Sequence, residues 1–205
     1  MANDPQLLSR TTLAYYEETA ASFWHGTRDH DVSQNIAALL DAIAGAAPFR
    51  ILDLGCGPGR DLKAFCDLGH EATGLDGAAP FVEMARQYSG CPVLHQDFLA
   101  LDLPREHFHG IFANAVLFHV PRQELARVLG ELHDALVPGG VLFCSNPRGD
   151  NEEAMSGGRY GCYHDYAAWN GFVTGAGFTE IRHYYRPPDL PRHRQPWLAT
   201  VWGKT

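Results

Sequence analysis

The sequence predicts an α/β protein: a seven-stranded, mostly parallel sheet with helices on both faces and an antiparallel hairpin at one edge. Three observations predict it. Short apolar runs alternate with segments of helical period between residues 50 and 145, the pattern of parallel strands joined by crossover helices. Glycines stand where several of those runs and helices stop. The last two extended runs, 178–186 and 197–203, have only the proline-rich segment 187–196 between them, so they pair antiparallel.

In order along the chain, residues 4–22 look helical but weakly patterned. Residues 31–44 carry Ile36, Leu39, Leu40 and Ile43 at helical spacing. Arg50 to Leu54 is the first strand. Leu62, Phe65, Cys66 and Leu68 then mark a helix that Gly69 stops. Glu71–Leu75 is the second strand, and Pro80–Tyr88 a helix with proline in its first turn. Pro92–His95 and Gly110–Val116 are the third and fourth strands. Residues 122–136 form a helix with Leu125, Val128, Leu129, Leu132 and Leu136 on one face; Pro138-Gly139-Gly140 ends it before a fifth strand, Val141–Ser145. The glycine- and tyrosine-rich stretch 146–164 precedes a helix over 165–176.

The chain has 205 residues, is 45% hydrophobic and 20% charged, and carries a net charge of −8. That is one globular domain, with a folded surface of about 9,500 Å². The deficit of positive charge disfavours a nucleic-acid partner. It lies wholly in residues 1–110, with fifteen acids against seven bases; residues 111–205 hold nine of each. The five cysteines make no CxxC pair and read as free, mostly buried thiols in a reducing compartment. With no apolar signal core and no long apolar run, the expectation is a cytoplasmic protein that meets no membrane, as a monomer or homodimer. The eleven histidines show no metal-ligand spacing, and no metal is expected.

The chemistry concentrates in Asp53-Leu54-Gly55-Cys56-Gly57-Pro58-Gly59-Arg60, at the end of the first strand. Its glycines let the backbone turn sharply and approach a ligand, with a helix N-terminus behind them. A dinucleotide fingerprint spaces its glycines GxGxxG; here they run GxGxG, with an acid two residues ahead. Asp76-Gly77 ends the second strand, 23 residues after Asp53, and Asp97-Phe98 follows the third. The fourth strand runs through Asn114 to Leu117-Phe118-His119-Val120-Pro121, and Leu136-Val137-Pro138-Gly139-Gly140 precedes the fifth.

Over residues 48–146 this series resembles the class I S-adenosylmethionine-dependent methyltransferases, with a Rossmann-like fold. His109, where that family often has aspartate, departs from the pattern in a minor motif. The resemblance implies S-adenosylmethionine as cofactor and S-adenosylhomocysteine as product. It places Gly55, Cys56, Gly57, Gly59 and Arg60 around the amino-acid end, with Asp53 and Asn114. Asp76 and Gly77 would meet the ribose, and Asp97 and Phe98 the adenine. Tyr16 and Trp24 fall in what looks like an N-terminal lid (1–47), whose aromatic faces would suit a sulfonium; their plainer role is packing a helix onto the core. His119 falls where the family faces its acceptor and is the candidate base, or else a histidine satisfied at a helix entry.

Residues 147–205 are the expected acceptor side. Phe118, Asn146, Arg148, Tyr160, Tyr163, His164 and Arg186 are the candidate acceptor-binding residues. Five bases against one acid over 182–205 would suit an anionic group, or simply form a solvated edge. The acceptor expected is a small molecule methylated at nitrogen, sulfur or selenium. Segments such as GGRYG and QPWLATVW look like the enzymes that methylate the imidazole of a thio- or selenohistidine in ovothiol-type pathways. Two other classes stay open: an S-adenosylmethionine-binding module without catalysis, and a nucleotide-linked oxidoreductase, which the loop spacing disfavours.

Overall fold

A computed structural model of the chain describes residues 4–205. Its strands, in chain order, are β1 (Arg50–Leu54), β2 (Glu71–Asp76), β3 (Val93–His95), β4 (Phe108–Asn114), β5 (Leu136–Pro147), β6 (Glu152–Ser156), β7 (Arg159–Tyr163), β8 (Phe178–Arg186) and β9 (Trp197–Lys204). Its helices are α1 (Pro5–Thr27), α2 (Ser33–Leu40), α3 (Arg60–Asp67), α4 (Ala79–Ser89), α5 (Arg122–Ala135) and α6 (Tyr166–Gly175).

Seven strands form one sheet in the order β3-β2-β1-β4-β5-β9-β8. The first five run parallel, and β9 is antiparallel to both β5 and β8. The expected architecture is therefore present, including the antiparallel edge. Its strands are apolar on both sides because both faces are covered. Leu52, Leu54, Ile111 and Leu142 pack under α5 and α6 with Leu129, Leu132 and Trp169. Ile51, Phe112 and Phe143 pack on the other face, under α2 and α3 with Leu39, Leu62 and Phe65.

Element ends shift, with β5 starting at Leu136 through the expected turn and α2 confined to 33–40, and three further details differ from the sequence expectations. The stretch 146–164 contains a hairpin, β6–β7, paired Glu152 to Tyr163 through Ser156 to Arg159. Every residue of β6 is exposed, so no buried face imposed an alternating apolar pattern that could reveal it. Helix α1 runs to Thr27; its buried residues are Ser9, Thr12 and Ala20, too small and polar to make an apolar stripe. Finally, not all cysteines are free: Cys66 at the end of α3 is bonded to Cys91 in the α4–β3 turn, while Cys56, Cys144 and Cys162 are free and buried. Residues 25 apart in sequence meet there because α3 and α4 lie side by side on one face of the sheet.

Among the described residues no helix is long and apolar enough to cross a membrane, and no group of three or more His, Cys, Asp or Glu could hold a metal ion.

Candidate active site

The crossover connections from β1 and β4 depart to opposite faces of the sheet, which leaves a crevice at the carboxyl ends of the strands. Such a switch point is where open α/β sheets bind ligands. Here it opens into a cavity of about 920 Å³, roofed by α1 and bounded by the loops after β1, β2, β3 and β4.

The loop after β1 is shaped by backbone that only glycine adopts readily. Gly55, Gly57 and Gly59 have φ of +67°, +52° and +94°. A Cβ on Gly55 would fall 2.2 Å from Val116 Cγ2, and one on Gly59 would fall 2.8 Å from the Ala85 Cα. The loop thus lies directly against the turn after β4 and against α4. Beneath it Asp53 is almost fully buried, and its Oδ2 has no hydrogen-bond partner among the described residues. Burial, reinforced by the neighbouring Asp61 carboxylate, pushes the Asp53 carboxyl well above the usual range.

Asp76 ends β2 and ties two loops together. Its Oδ2 accepts from Gly57 N and its Oδ1 from Ala78 N, both at 2.9 Å. Burial raises its pKa to about 6 against the pull of these amides. Asp97 caps a 3₁₀ turn (Phe98–Ala100) by accepting from Leu99 N, and its other oxygen accepts from Ser9 Oγ of the roof helix at 2.8 Å. Each acid therefore keeps acceptor capacity while being held rigid.

On the opposite wall a chain of polar side chains crosses the cavity floor. The Tyr184 hydroxyl donates to Asn35 Oδ1, Asn35 Nδ2 to Asn114 Oδ1, and Asn114 Nδ2 to Asp61 Oδ2. Arg60 grips Asp61 with two bonds, at 2.6 and 3.0 Å, and reaches the Thr27 carbonyl at the end of α1. Asn35 and Asp61 were not expected from sequence. Neither lies in a motif, and only the packing of α2 over β4 brings Asn35 to Asn114.

The roof of the cavity is aromatic. The Tyr16 ring stands 5.6 Å from those of Phe23 and Phe81, and Trp24 packs on Tyr88. The Tyr16 hydroxyl lies 2.8 Å from His119 Nε2, and His119 Nδ1 lies 2.6 Å from the Tyr160 carbonyl oxygen. A carbonyl only accepts, so Nδ1 carries the proton and Nε2 accepts from Tyr16. Burial lowers the His119 pKa to about 4, leaving the ring neutral.

The cavity lining takes in Tyr16, Trp24, Gly55, Cys56, Gly57, Arg60, Asp76, Gly77, Asp97, Phe98, Asn114, Phe118, His119 and Arg186 from the sequence candidates. Asp53 and Gly59 lie behind the loop instead. Of the remaining candidates, Tyr160 is buried, donates to Glu153 Oε2 and meets His119 through its backbone. The Tyr163 ring packs tilted against Phe118, 5.9 Å between centres. Arg148 donates to the Gln195 and Arg192 carbonyls, away from the cavity. Asn146 and His164 line a separate void behind Phe118, with Cys162 Sγ 3.3 Å from His164 Nε2. The cap of α6 is Asp165, accepting from Ala168 N at 2.7 Å. Arg159, which lines the cavity from β7, was not among the candidates.

The residues fit an adenosyl amino acid. An orphaned buried acid, a glycine cradle with no room for a Cβ at Gly55 or Gly59, a carboxylate at the end of β2 and the Phe98 ring occur in the order such a ligand would need.

This architecture defines the chain as a Rossmann-like protein with the class I methyltransferase fold. Residues 51–140 match the family model described as a methyltransferase domain. An uncharacterized methyltransferase of Mycobacterium tuberculosis is 31% identical over 108 residues, 51% of this chain and 54% of that one. The ubiquinone biosynthesis O-methyltransferase of Pseudomonas aeruginosa is 31% identical over 144 residues, 65% of this chain and 61% of its own. The chain thus spans only a little over half the length of these relatives. Among solved structures, the 1,6-didemethyltoxoflavin-N1-methyltransferase of Burkholderia thailandensis superposes with a TM-score of 0.73 at 22% identity, covering 94% of this chain and 88% of that one. That structure holds 1,6-didemethyltoxoflavin and S-adenosylhomocysteine.

Proposed function

We propose that the chain is an S-adenosylmethionine-dependent methyltransferase acting on a small-molecule acceptor at nitrogen, sulfur or selenium. The observation that carries this reading is the convergence of Asp76 and Asp97 with Gly55, Cys56 and Gly57 on one crevice under an aromatic roof, with Asp53 buried behind the cradle. A cavity of about 920 Å³ lies at the upper end of the range for small-ligand sites, which suits a cofactor and a small acceptor together. Helix α1 lies along it, which supports a small acceptor over a polymer. The specific acceptor we propose is the imidazole nitrogen of a thio- or selenohistidine, with Arg186 at the cavity wall available to its carboxylate.

In this reading the cofactor, when bound, supplies an electrophilic methyl group on a sulfonium. The chain's own residues do the rest. Asp76 accepts from ribose hydroxyls with the oxygen capacity its two amide bonds leave free. Phe98 and Asp97 hold the base, and Asn114, fixed between Asn35 and Asp61, lies toward the amino-acid end. The roof of Tyr16, Phe23 and Trp24 excludes water and holds the acceptor in line with the methyl, which is where most of the rate enhancement originates.

Calorimetry with S-adenosylhomocysteine and with NAD tests the cofactor: binding of the first and not the second is expected, and the reverse overturns the reading in favour of a nucleotide-linked oxidoreductase. Labelled S-adenosylmethionine incubated with a metabolite extract, with tRNA as counter-probe, tests catalysis. Label is expected in the small-molecule fraction, and 5-thiohistidine is expected to gain 14 daltons. Tight cofactor binding with no label transferred anywhere would instead make the chain a binding module.

A further inference from the structure

His119 sits where a catalytic base is expected, yet neither ring nitrogen is open to an acceptor. Nδ1 is held by the Tyr160 carbonyl and Nε2 by the Tyr16 hydroxyl. Beside it, the Tyr16 hydroxyl belongs to a residue that lines the cavity and has capacity to spare. Its oxygen donates one proton to His119 and accepts from Arg159 Nη1 at 3.3 Å, which leaves one lone pair unused on a residue that lines the cavity. Arg159 makes no carboxylate ion pair among the described residues; its guanidinium lies 4.9 Å from the Tyr15 ring centre and 5.7 Å from that of Tyr16.

We propose that Tyr16 is the catalytic hydroxyl of the site, taking the acceptor's proton as its own proton passes to His119 Nε2, so that His119 acts through Tyr16. This rests on the methyl-transfer reading above and narrows the acceptor to one still protonated at neutral pH, an N–H or O–H group and not a thiolate.

The step balances. A lone pair on X forms the X–CH₃ bond, the methyl–sulfur bond pair returns to sulfur, and the X–H bond pair stays on X as its proton leaves. The proton moves from X to Tyr16 Oη, and the former Tyr16 proton to His119 Nε2. One positive charge leaves the sulfonium and one appears on the imidazolium. Arg159 favours the negative charge that builds on the Tyr16 oxygen between the two transfers. After product leaves, His119 returns its proton through Tyr16 to solvent.

The groups facing this pair are Tyr15 beside Tyr16 on α1, Arg159 on β7 and Asp76 at the end of β2. Burial favours neutral His119 throughout the physiological range. A relay through a neutral, hydrogen-bonded histidine therefore predicts a kcat that does not fall between pH 7 and pH 5. A solvent-accessible histidine base would give a falling limb near pH 6.5.

The experiment combines imidazole NMR with kinetics. In ¹⁵N-histidine-labelled protein saturated with S-adenosylhomocysteine, His119 is expected as the Nδ1–H tautomer, untitrated from pH 5 to 9, with its Nε2 resonance shifting in Tyr16→Phe. An Nε2–H tautomer or ordinary titration near pH 6.5 would overturn the proposal, and needs no variant. On the acceptor found by the labelled-cofactor screen, Tyr16→Phe is expected to lower kcat by about 10² or more with KM little changed. His119→Gln, which still accepts from Tyr16, should lose less than His119→Leu. A Tyr16→Phe variant that binds S-adenosylhomocysteine normally and turns over within about twofold of wild type overturns the relay alone. Wild-type protein that binds no S-adenosylhomocysteine overturns the methyl-transfer reading beneath it.

Discussion

The single most demanding position in the cradle is Gly55. It combines a φ of +67° with a Cβ site 2.2 Å from Val116 Cγ2, so Gly55→Ala adds both backbone strain and overpacking. A loss of about 3 kcal/mol is expected, together with loss of S-adenosylhomocysteine binding. Gly69→Ala is the control. Its φ is +85° but its Cβ would meet open space, so thermal unfolding should show a cost of about 1 kcal/mol and calorimetry an unchanged affinity. Asp76 gives opposite pH responses in the two states of the protein. Its folded pKa of about 6 lies above that of an exposed aspartate, so the folded chain binds this proton more tightly than the unfolded chain does. Through this group the ligand-free protein gains stability as pH falls from 7 to 5, and loses that gain as pH rises through 6. Binding responds the other way. In the proposed site, ribose hydroxyls would donate to the ionised carboxylate, so S-adenosylhomocysteine affinity should weaken as pH drops below about 6. Calorimetry at pH 5 and pH 8 checks the sign, and Asp76→Asn should remove the dependence along with most of the affinity.

At the scale of elements, the cavity is held together by side chains that bridge separate pieces of the chain. Asn35 is 1% exposed and joins α2 to β4 through Asn114 and to β8 through Tyr184. Asn35→Ala would strand two polar groups, and a cost of about 2 kcal/mol is expected. For a chain of this size that lowers Tm by about 4–8 °C, readable by calorimetry. Helix α1 and hairpin β6–β7 form the other assembly. Thr12 Oγ1 accepts from Tyr160 N, and Tyr16 meets both His119 and Arg159. These two elements were the least legible from sequence, for a shared reason. α1 presents small and polar groups to the core and aromatic rings to the cavity, and β6 presents nothing to a core at all. Apolar periodicity reports burial against a core, and these elements serve the cavity.

For the whole molecule, the exposed surface of 9399 Å² meets the roughly 9,500 Å² that mass alone implies. The sheet strands are buried between two layers of helices, whereas α1 lines the cavity with Tyr16, Phe23 and Trp24 and buries few residues of its own. Amide exchange should therefore be fast in α1 relative to β1, β4 and β5, and should slow in α1 when S-adenosylhomocysteine binds. Exchange in α1 unaffected by ligand would show that the cavity fills by another route. The charge asymmetry has a structural counterpart here. Asp53, Asp61, Asp76 and Asp97 all lie in the acidic half and gather at or under the cavity, while Arg159 and Arg186 of the neutral half line it from the other side.

The amino-acid sequence by itself determined the sheet, its parallel order through β5 and its antiparallel edge, because buried strands and amphipathic helices leave periodic apolar signatures. It also determined the glycine cradle and the acids at the ends of β1 and β2 and after β3, because local backbone demands and strand ends are written in contiguous residues. Only the tertiary structure decided what those residues do together. It joined Asn35 to Asn114 across 79 positions and Tyr16 to His119 across 103. It also closed the two nitrogens of His119 and left a lone pair unused on Tyr16. Hydrogen bonds between distant elements depend on direction and distance in space, and neither has a period along the chain.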